Sequence, residues 1–483
     1  MQFTVQLKSN LPRVVIAALK GGAGKTFLSV GIAAAIRKRN LSLAVFKKGP
    51  DYIDAGWLGL AAGGDCYNLD TYLMTYEIVR GSFLRRSLEK NISLVEGNRG
   101  LFDGFDVAGT YSTAQLAKLL KSPVILVVDS TKMTRTAAAL VLGCRTLDPE
   151  LQLKGIILNR VASDRHERIL RQSIEEVSGI PVIGSVRKLV LENFPQRHLG
   201  LLPLHEHPQA LDFIDEASIV AEESIDLDRV MEIASAAGQF PSELHPEPVD
   251  FAPNPGQSGL RIGILKDSAF QFYYPENLEA LRRRVGPLVE ISALDQAEFP
   301  EVDGLYIGGG FPETNAERLA ENTIFKESLF KAIERGLPVY AECGGLMYLS
   351  RNLCVDEQIY PMVGVFPIDT VLERKPQGLG YIRVQVDGTN PFYPQGAVLT
   401  GHEFHYSSVR TRDNVSANCA FRVLQGHGMN GTRDGICRFN ALGTYVHLHA
   451  LGEPLWAEGI LRTAAAYRSS GRSHVGNVRK SDG

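Results

Sequence analysis

The chain has 483 residues, which at about 150 residues per domain points to two or three domains. Hydrophobic residues make up 44% and charged residues 22%, values that exclude a disordered, collagen-like or coiled-coil chain. With 51 Lys and Arg against 54 Asp and Glu, the net charge of −3 gives no bulk attraction to nucleic acid or an anionic membrane. The N-terminus lacks the layout of a secretory signal, and no apolar stretch approaches the ~18 residues needed to span a bilayer. Six cysteines are scattered without a CxxC pair, so neither a disulfide framework nor a zinc site is expected, and the expected compartment is cytoplasmic.

The first elements in chain order are short apolar runs: Val14–Ile16, Leu43–Phe46, Val124–Val128 and Ile156–Leu158. Unbroken apolar character suits strands buried on both faces of a parallel sheet. A helical pattern from Phe27 to Ile36 lies between the first two, and this alternation predicts a doubly wound α/β domain. Five prolines fall between Pro241 and Pro255, a density that excludes a helix interior or central strand and marks a linker. A fresh α/β pattern starts at Arg261–Leu265. The expected division is 1–240, a linker at 241–259, a second domain at 260–470 and a frayed polar tail at 471–483.

The first strand runs into Lys20-Gly21-Gly22-Ala23-Gly24-Lys25-Thr26 and then a helix. Glycines let backbone amides wrap phosphate oxygens, Lys25 reaches the outer phosphates, and the Thr26 hydroxyl suits Mg²⁺. Leu19 replaces the first glycine of the usual phosphate-loop pattern, and Lys20 matches a deviant form in which an early lysine also contacts phosphate. Asp51, Asp54, Glu96 and Asp103 stand in Gly-flanked turns after predicted strands, where carboxylates face the crevice of an α/β sheet and serve a hydrated metal. Each taken alone is equally well a solvated or capping residue.

The second half places Cys343 between a strand ending near Ala341 and a helix starting near Leu346. Such an elbow at a helix N-terminus is expected to lower the thiol pKa. Gly309 and Gly310, in Gly308–Glu313 after the strand Leu305–Ile307, offer oxyanion-hole amides. His447 follows a β-type segment and is the expected base for Cys343. The bland alternative is a buried structural thiol, the reading given to the other five cysteines.

Together these motifs resemble the cobyrinate a,c-diamide synthase family over nearly the whole chain. The likeness extends through Lys48–Asp54, Tyr67–Asp70, Glu96–Gly104, Gly155–Val161 and Arg197–Leu201, then Phe272–Asn277, Gly308–Glu313, Ala341–Leu349, Gly401–Ser407 and Tyr445–His449. The resemblance implies a dethiobiotin-synthetase-like phosphate-loop domain followed by a class I glutamine amidotransferase domain. It implies ATP- and glutamine-dependent amidation of the a and c acetate carboxylates of a tetrapyrrole, cobyrinate or a sirohydrochlorin or siroheme type, through an acyl phosphate.

By carry-over, residues Gly21 to Thr26 bind ATP with Mg²⁺, Asn159 contacts the adenine, and Asp51, Tyr52, Asp54, Glu96 and Asp103 surround the metal, γ-phosphate and reacting carboxylate. Thr26, Asp51 and Glu96 are the implied metal ligands. Cys343 is the implied nucleophile, with His447 as its partner and a shielded ammonia route between the domains. Arg99 replaces an apolar family residue and could pair with a substrate carboxylate. His449 stands where class I triads carry Glu, which implies a pair without an acidic third member. The implied partners are the tetrapyrrole, glutamine and ATP, with no nucleic acid and no membrane, and a homodimer is a candidate assembly. Cobyric acid synthase, which amidates other side chains, and a phosphate-loop ATPase switch remain alternatives. A switch would release no glutamate from glutamine.

Overall fold

The computed structural model describes residues 10–188, 196–197, 200–201, 209–240, 259–411 and 419–475. The chain divides into two compact units, residues 1–248 and 249–483. The linker expected at 241–259 lies almost entirely outside the described residues, as do His198 and Leu199 of one quoted motif.

In the first unit the strands are β1 (Arg13–Ala18), β2 (Leu43–Lys48), β3 (Cys66–Leu69), β4 (Ile92–Glu96), β5 (Val124–Asp129), β6 (Leu153–Val161) and β7 (Val182–Arg187). Helices α1 (Lys25–Lys38), α2 (Ile53–Ala62), α3 (Tyr76–Ser87), α4 (Thr113–Leu119), α5 (Thr136–Leu147) and α6 (Asp164–Ser178) alternate with them. The seven strands form one sheet in the order β3-β2-β4-β1-β5-β6-β7, and every pairing is parallel. A two-stranded hairpin of β8 (Gln196–Arg197) and β9 (Gly200–Leu201) follows, then α7 (Ala210–Ser224) and α8 (Leu227–Ser235). Every residue of β1 and β2 is buried, as a sheet covered on both faces requires.

That burial makes two charged residues conspicuous. Arg13 opens β1 fully buried, and its guanidinium donates to the carbonyls of Leu11, Leu120, Lys121, Ala237 and Gly238, tying the end of α4 to the end of α8. Lys47, near the end of β2, is 1% exposed and belongs to the site described below.

In the second unit β10 (Ile262–Leu265), α9 (Pro275–Val285), β11 (Val289–Ile291) and β12 (Gly304–Ile307) precede α10 (Ala316–Glu321), α11 (Thr323–Glu334), β13 (Val339–Glu342) and α12 (Gly344–Leu349). Strands β14 (Ser350–Val355), β15 (Gln358–Pro361), β16 (Phe366–Leu372), β17 (Gly378–Val386), β18 (Val398–His405), β19 (Ser407–Arg410), β20 (Cys419–Gln425), β21 (Arg433–Arg438) and β22 (Ala441–Thr444) follow, and α13 (Pro454–Val475) closes the unit. A nine-stranded sheet runs β11-β10-β12-β13-β22-β21-β20-β17-β18, parallel from β11 to β22 and antiparallel beyond. A four-stranded sheet, β15-β14-β16-β19, lies beside it in sequence. Helix α13 runs to Val475, within the segment expected as a tail from residue 471. Residues 476–483 lie outside the described residues.

Candidate active site

The phosphate loop connects β1 to α1, and Gly24 caps the helix with φ of 90°. Glycine is required twice over there. An L side chain rarely adopts that conformation, and a Cβ would strike the side-chain amide of Asn159. Asn159 Nδ2 donates to the Ala23 carbonyl (2.9 Å), while its Oδ1 accepts from the Arg160 amide. The structure therefore places Asn159 as a brace beneath the loop. Lys20 extends to Asp129 (3.2 Å), which Arg160 also pairs (2.9 Å), and Arg160 donates to the Gly22 carbonyl as well. Asp129 and Asn159 are register partners across β5 and β6, so both braces come from adjacent strand ends.

Strand register also explains the acid cluster. Glu96 at the end of β4 is paired with Ile16 of β1 on one side and Lys47 of β2 on the other. Its Oε1 accepts from Thr26 Oγ1 (2.7 Å) and from Lys47 Nζ (2.8 Å). Lys47 reaches Asp54 Oδ2 at 2.5 Å and Asp51 Oδ2 at 3.8 Å. Burial alone would push Lys47 down, but Asp54, Glu96 and Asp51 outweigh it and hold the ammonium well above the ordinary lysine value. Burial, with Asp54 beside it, pushes Asp51 up to about 7, whereas Lys47 holds Asp54 below the usual carboxylate range against its own burial. Burial also raises Glu96. Sequence reasoning missed Lys47. The available signal was a lysine at the end of a strand buried on both faces, which demands an anionic partner.

Thr26, Asp51, Asp54 and Glu96 are thus brought together. Asn68 holds the turn that carries Asp51, donating to the carbonyls of Gly49 and Asp51 (2.8 and 3.0 Å), which explains the Tyr67–Asp70 motif. Lys25 is buried, and that burial lowers its pKa; its Nζ donates to the Arg99 carbonyl (2.7 Å). Asp103 is exposed and caps its own turn by accepting from the Gly100 amide (2.9 Å). Arg99 is exposed with φ of 50°, and Tyr52 is half-buried at the N-cap of α2.

Mg²⁺ fits this oxygen set. Glu96 Oε2 is buried with no hydrogen-bond partner among the described residues, and Thr26 and the aspartates are hard oxygen donors of the kind Mg²⁺ selects. Among the described residues no group of three or more His, Cys, Asp or Glu forms a self-contained metal cage, so a bound ion would complete its shell from nucleotide phosphates and water.

In the second unit Cys343 is the residue between β13 and α12, with φ of 45° and ψ of −96°. A non-glycine residue held there carries backbone strain, and its amide is pinned by the Thr444 carbonyl at 2.7 Å. The thiol is 7% exposed, and Sγ lies 3.8 Å from the Phe404 carbonyl. The expected lowering of its pKa is overturned. Burial pushes the thiol up and Glu313 and Glu342 add to the effect, outweighing the Gly344 amide, which acts to lower it.

Gly309 and Gly310 run past this elbow. A Cβ on Gly309 would meet His447 Cε1 at 2.8 Å, and one on Gly344 would meet the Gly310 amide nitrogen at 3.0 Å, so histidine, glycine strand and elbow pack together. His447 is 2% exposed in the segment following β22. Its backbone exchanges two hydrogen bonds with His402 (3.1 and 2.8 Å), and the two rings stack at 4.8 Å. His447 Nδ1 lies 3.1 Å from Glu342 Oε2, so a carboxylate stands beside the histidine. His449 lies 3.6 Å from Glu276 instead. Tyr274 contacts His402 Nδ1 (3.1 Å), and Asn277 ties the Leu448 carbonyl and Ala450 amide, giving structural roles to the Phe272–Asn277 motif. Glu342 and His402 lie within the motifs Ala341–Leu349 and Gly401–Ser407, but nothing in their spacing marks either for a role.

Residues 14–201 match the CobQ/CobB/MinD/ParA nucleotide binding domain, and residues 261–455 match the CobB/CobQ-like glutamine amidotransferase domain. The chain is 41% identical to cobyrinate a,c-diamide synthase of Magnetococcus marinus over 94% of its own length and 97% of that protein. It is 37% identical to the Archaeoglobus fulgidus enzyme of that name, covering 95% and 98% of the two chains, and 38% identical to the one from Methanobrevibacter smithii, covering 92% and 96%. The chain is an α/β protein that belongs to the cobyrinate a,c-diamide synthase family of glutamine-dependent, amide-forming ligases.

Proposed function

We propose that this enzyme uses ATP and glutamine to amidate the a and c acetate carboxylates of cobyrinate. The observation that carries the reading is that one chain holds both a phosphate loop facing a Lys47-centred acid cluster and a strained cysteine elbow beside His447. A switch ATPase has a use for the first alone.

A carboxylate is a poor electrophile. In the proposed reaction a substrate oxygen attacks the γ-phosphorus of ATP, ADP leaves, and the acyl phosphate then loses phosphate to ammonia. Lys25 stabilises the negative charge on the transferring group, and Lys47 fixes Asp54 and Glu96 against mutual repulsion. Thr26, Glu96 and Asp51 would hold Mg²⁺ together with the phosphates, and the ion would supply neutralisation of phosphate charge. Lys20 and Arg160, anchored on Asp129, stiffen the loop.

Ammonia at neutral pH is almost wholly ammonium, so it must be made where it is used. Cys343 attacks the glutamine side-chain amide, the Gly309–Gly310 backbone receives the oxyanion, ammonia leaves, and water hydrolyses the thioester to glutamate. Cys343→Ala is expected to abolish glutamine-dependent amidation while ammonium chloride still supports it. Mass spectrometry of the product checks this, since each amidation lowers the mass by about one unit as OH becomes NH₂. Full glutamine use by the variant would sink the assignment. The same assay against cobyrinic acid, sirohydrochlorin and its nickel and iron forms tests the substrate, and regiochemistry separates a,c-amidation from that of cobyric acid synthase.

A further inference from the structure

The residue before the nucleophile is a glutamate with no exposed surface, and its setting is specific. Glu342 ends β13 next to β22, so its register partner is Thr444, three residues before His447. Its Oε2 lies 3.1 Å from His447 Nδ1 and accepts the Tyr306 hydroxyl at 3.1 Å. The imidazole is clamped as well, with His402 stacked on it at 4.8 Å and Gly309 packed against Cε1. A buried carboxylate on Nδ1 selects the tautomer that leaves Nε2 to exchange a proton with a thiol.

Resting on the glutaminase reading above, we propose that Glu342 is the positioning carboxylate of a Cys343–His447–Glu342 triad, its acid supplied by the residue before the nucleophile instead of by a residue after the histidine. The Cys343 proton passes to His447 Nε2 as Sγ bonds to the glutamine amide carbon. The imidazolium, held by Glu342, then returns that proton to nitrogen as the C–N bond breaks and ammonia departs. The buried Cys343 thiol must lose its proton for Sγ to attack, and a histidine that takes it as a general base needs its charged form stabilised. Among the described residues, the groups around His447 include Glu342 from β13 and His402 from β18, with Tyr274 and His449 behind His402. Of these only Glu342 is an anion beside the ring. Burial, with His447 and His449 near it, holds His402 far below the ordinary histidine value, so it adds no competing charge.

The test is glutamate release from glutamine by the full-length protein with ATP, Mg²⁺ and cobyrinic acid present. Glu342→Gln is expected to lower kcat about 100-fold or more with KM within about threefold. The acid limb of kcat/KM should move to lower pH by about one unit, because the imidazolium loses its anion. Tyr306→Phe keeps the carboxylate but removes a donor to it, so the acid limb should move the other way, to higher pH. This second variant carries the test if Glu342→Gln does not fold. A Glu342→Gln kcat within threefold of wild type, a large loss with an unmoved acid limb, or an unmoved limb in Tyr306→Phe would each overturn the proposal. Absence of glutamate release by the wild-type protein would instead overturn the glutaminase reading itself.

Discussion

Lys47 is the residue on which the phosphate-loop site turns. Three carboxylates within reach of one another cannot all ionise in a buried crevice without a cation, and Lys47 touches all three. Lys47→Met removes that cation and leaves Asp51, Asp54 and Glu96 to repel one another. Ammonia-dependent amidation should fall about 100-fold or more, while glutamate release from glutamine persists. The variant should also lose about 3 kcal/mol of stability in the first unit, the usual cost of breaking a buried ion pair, which thermal melting would register. Equal loss of both half-reactions would show instead that the whole chain had misfolded. Asp51, Asp54, Glu96 and Thr26 were legible in the sequence because each sits in a recognisable Gly-flanked motif. Lys47 was not, because a lysine within Phe46-Lys47-Lys48 carries no motif and its meaning comes from strand order, which sets β2 beside β4.

Elements decide where the glutaminase groups stand. The Cys343 elbow could be read from a strand, a Gly-Gly turn and a helix, but the burial that pushes its thiol up could not. The partner of His447 was equally hidden, since the register of β13 against β22, not sequence spacing, brings Glu342 to it. Further along the same sheet, Asp434 of β21 accepts from the Gly435 amide, the Thr444 hydroxyl and the Tyr445 amide, and so anchors the segment leading to His447. Burial outweighs those donors and pushes its carboxyl up to about 6. A folded-state pKa above the unfolded value of about 4 means the native state binds the proton more tightly, so stability falls as pH rises between those values. The second unit should lose about 2 kcal/mol from pH 4 to pH 6 through this group, with burial of Glu342 acting in the same direction. Asp434→Asn should flatten that slope in melts recorded across the range, and an unchanged slope would refute the account.

At the scale of the molecule, the two compact units map onto the two matched domain families and onto two chemistries that can be assayed apart. The paired phenotypes follow from that division. Cys343→Ala should spare ammonia-dependent synthesis, and Lys47→Met should spare glutamine hydrolysis. Alternating apolar runs and helices made the α/β character of both units readable, because buried parallel strands leave an unmistakable pattern. Arg13 escaped notice for the reason Lys47 did. Its five carbonyl acceptors come from chain segments more than a hundred residues away or from the loop just before it, and only the folded chain assembles them.

The kinked backbone at Cys343 has a consequence for how this fold tolerates change. Ala and Gly both delete the thiol, yet only Gly is at ease at φ of 45°. Cys343→Gly should therefore melt higher than Cys343→Ala, by about 1 kcal/mol, while both are dead glutaminases. Drift toward stability alone would favour glycine at this position. A cysteine there marks a place where the protein gives up stability for reactivity, and the difference between the two variants measures how much.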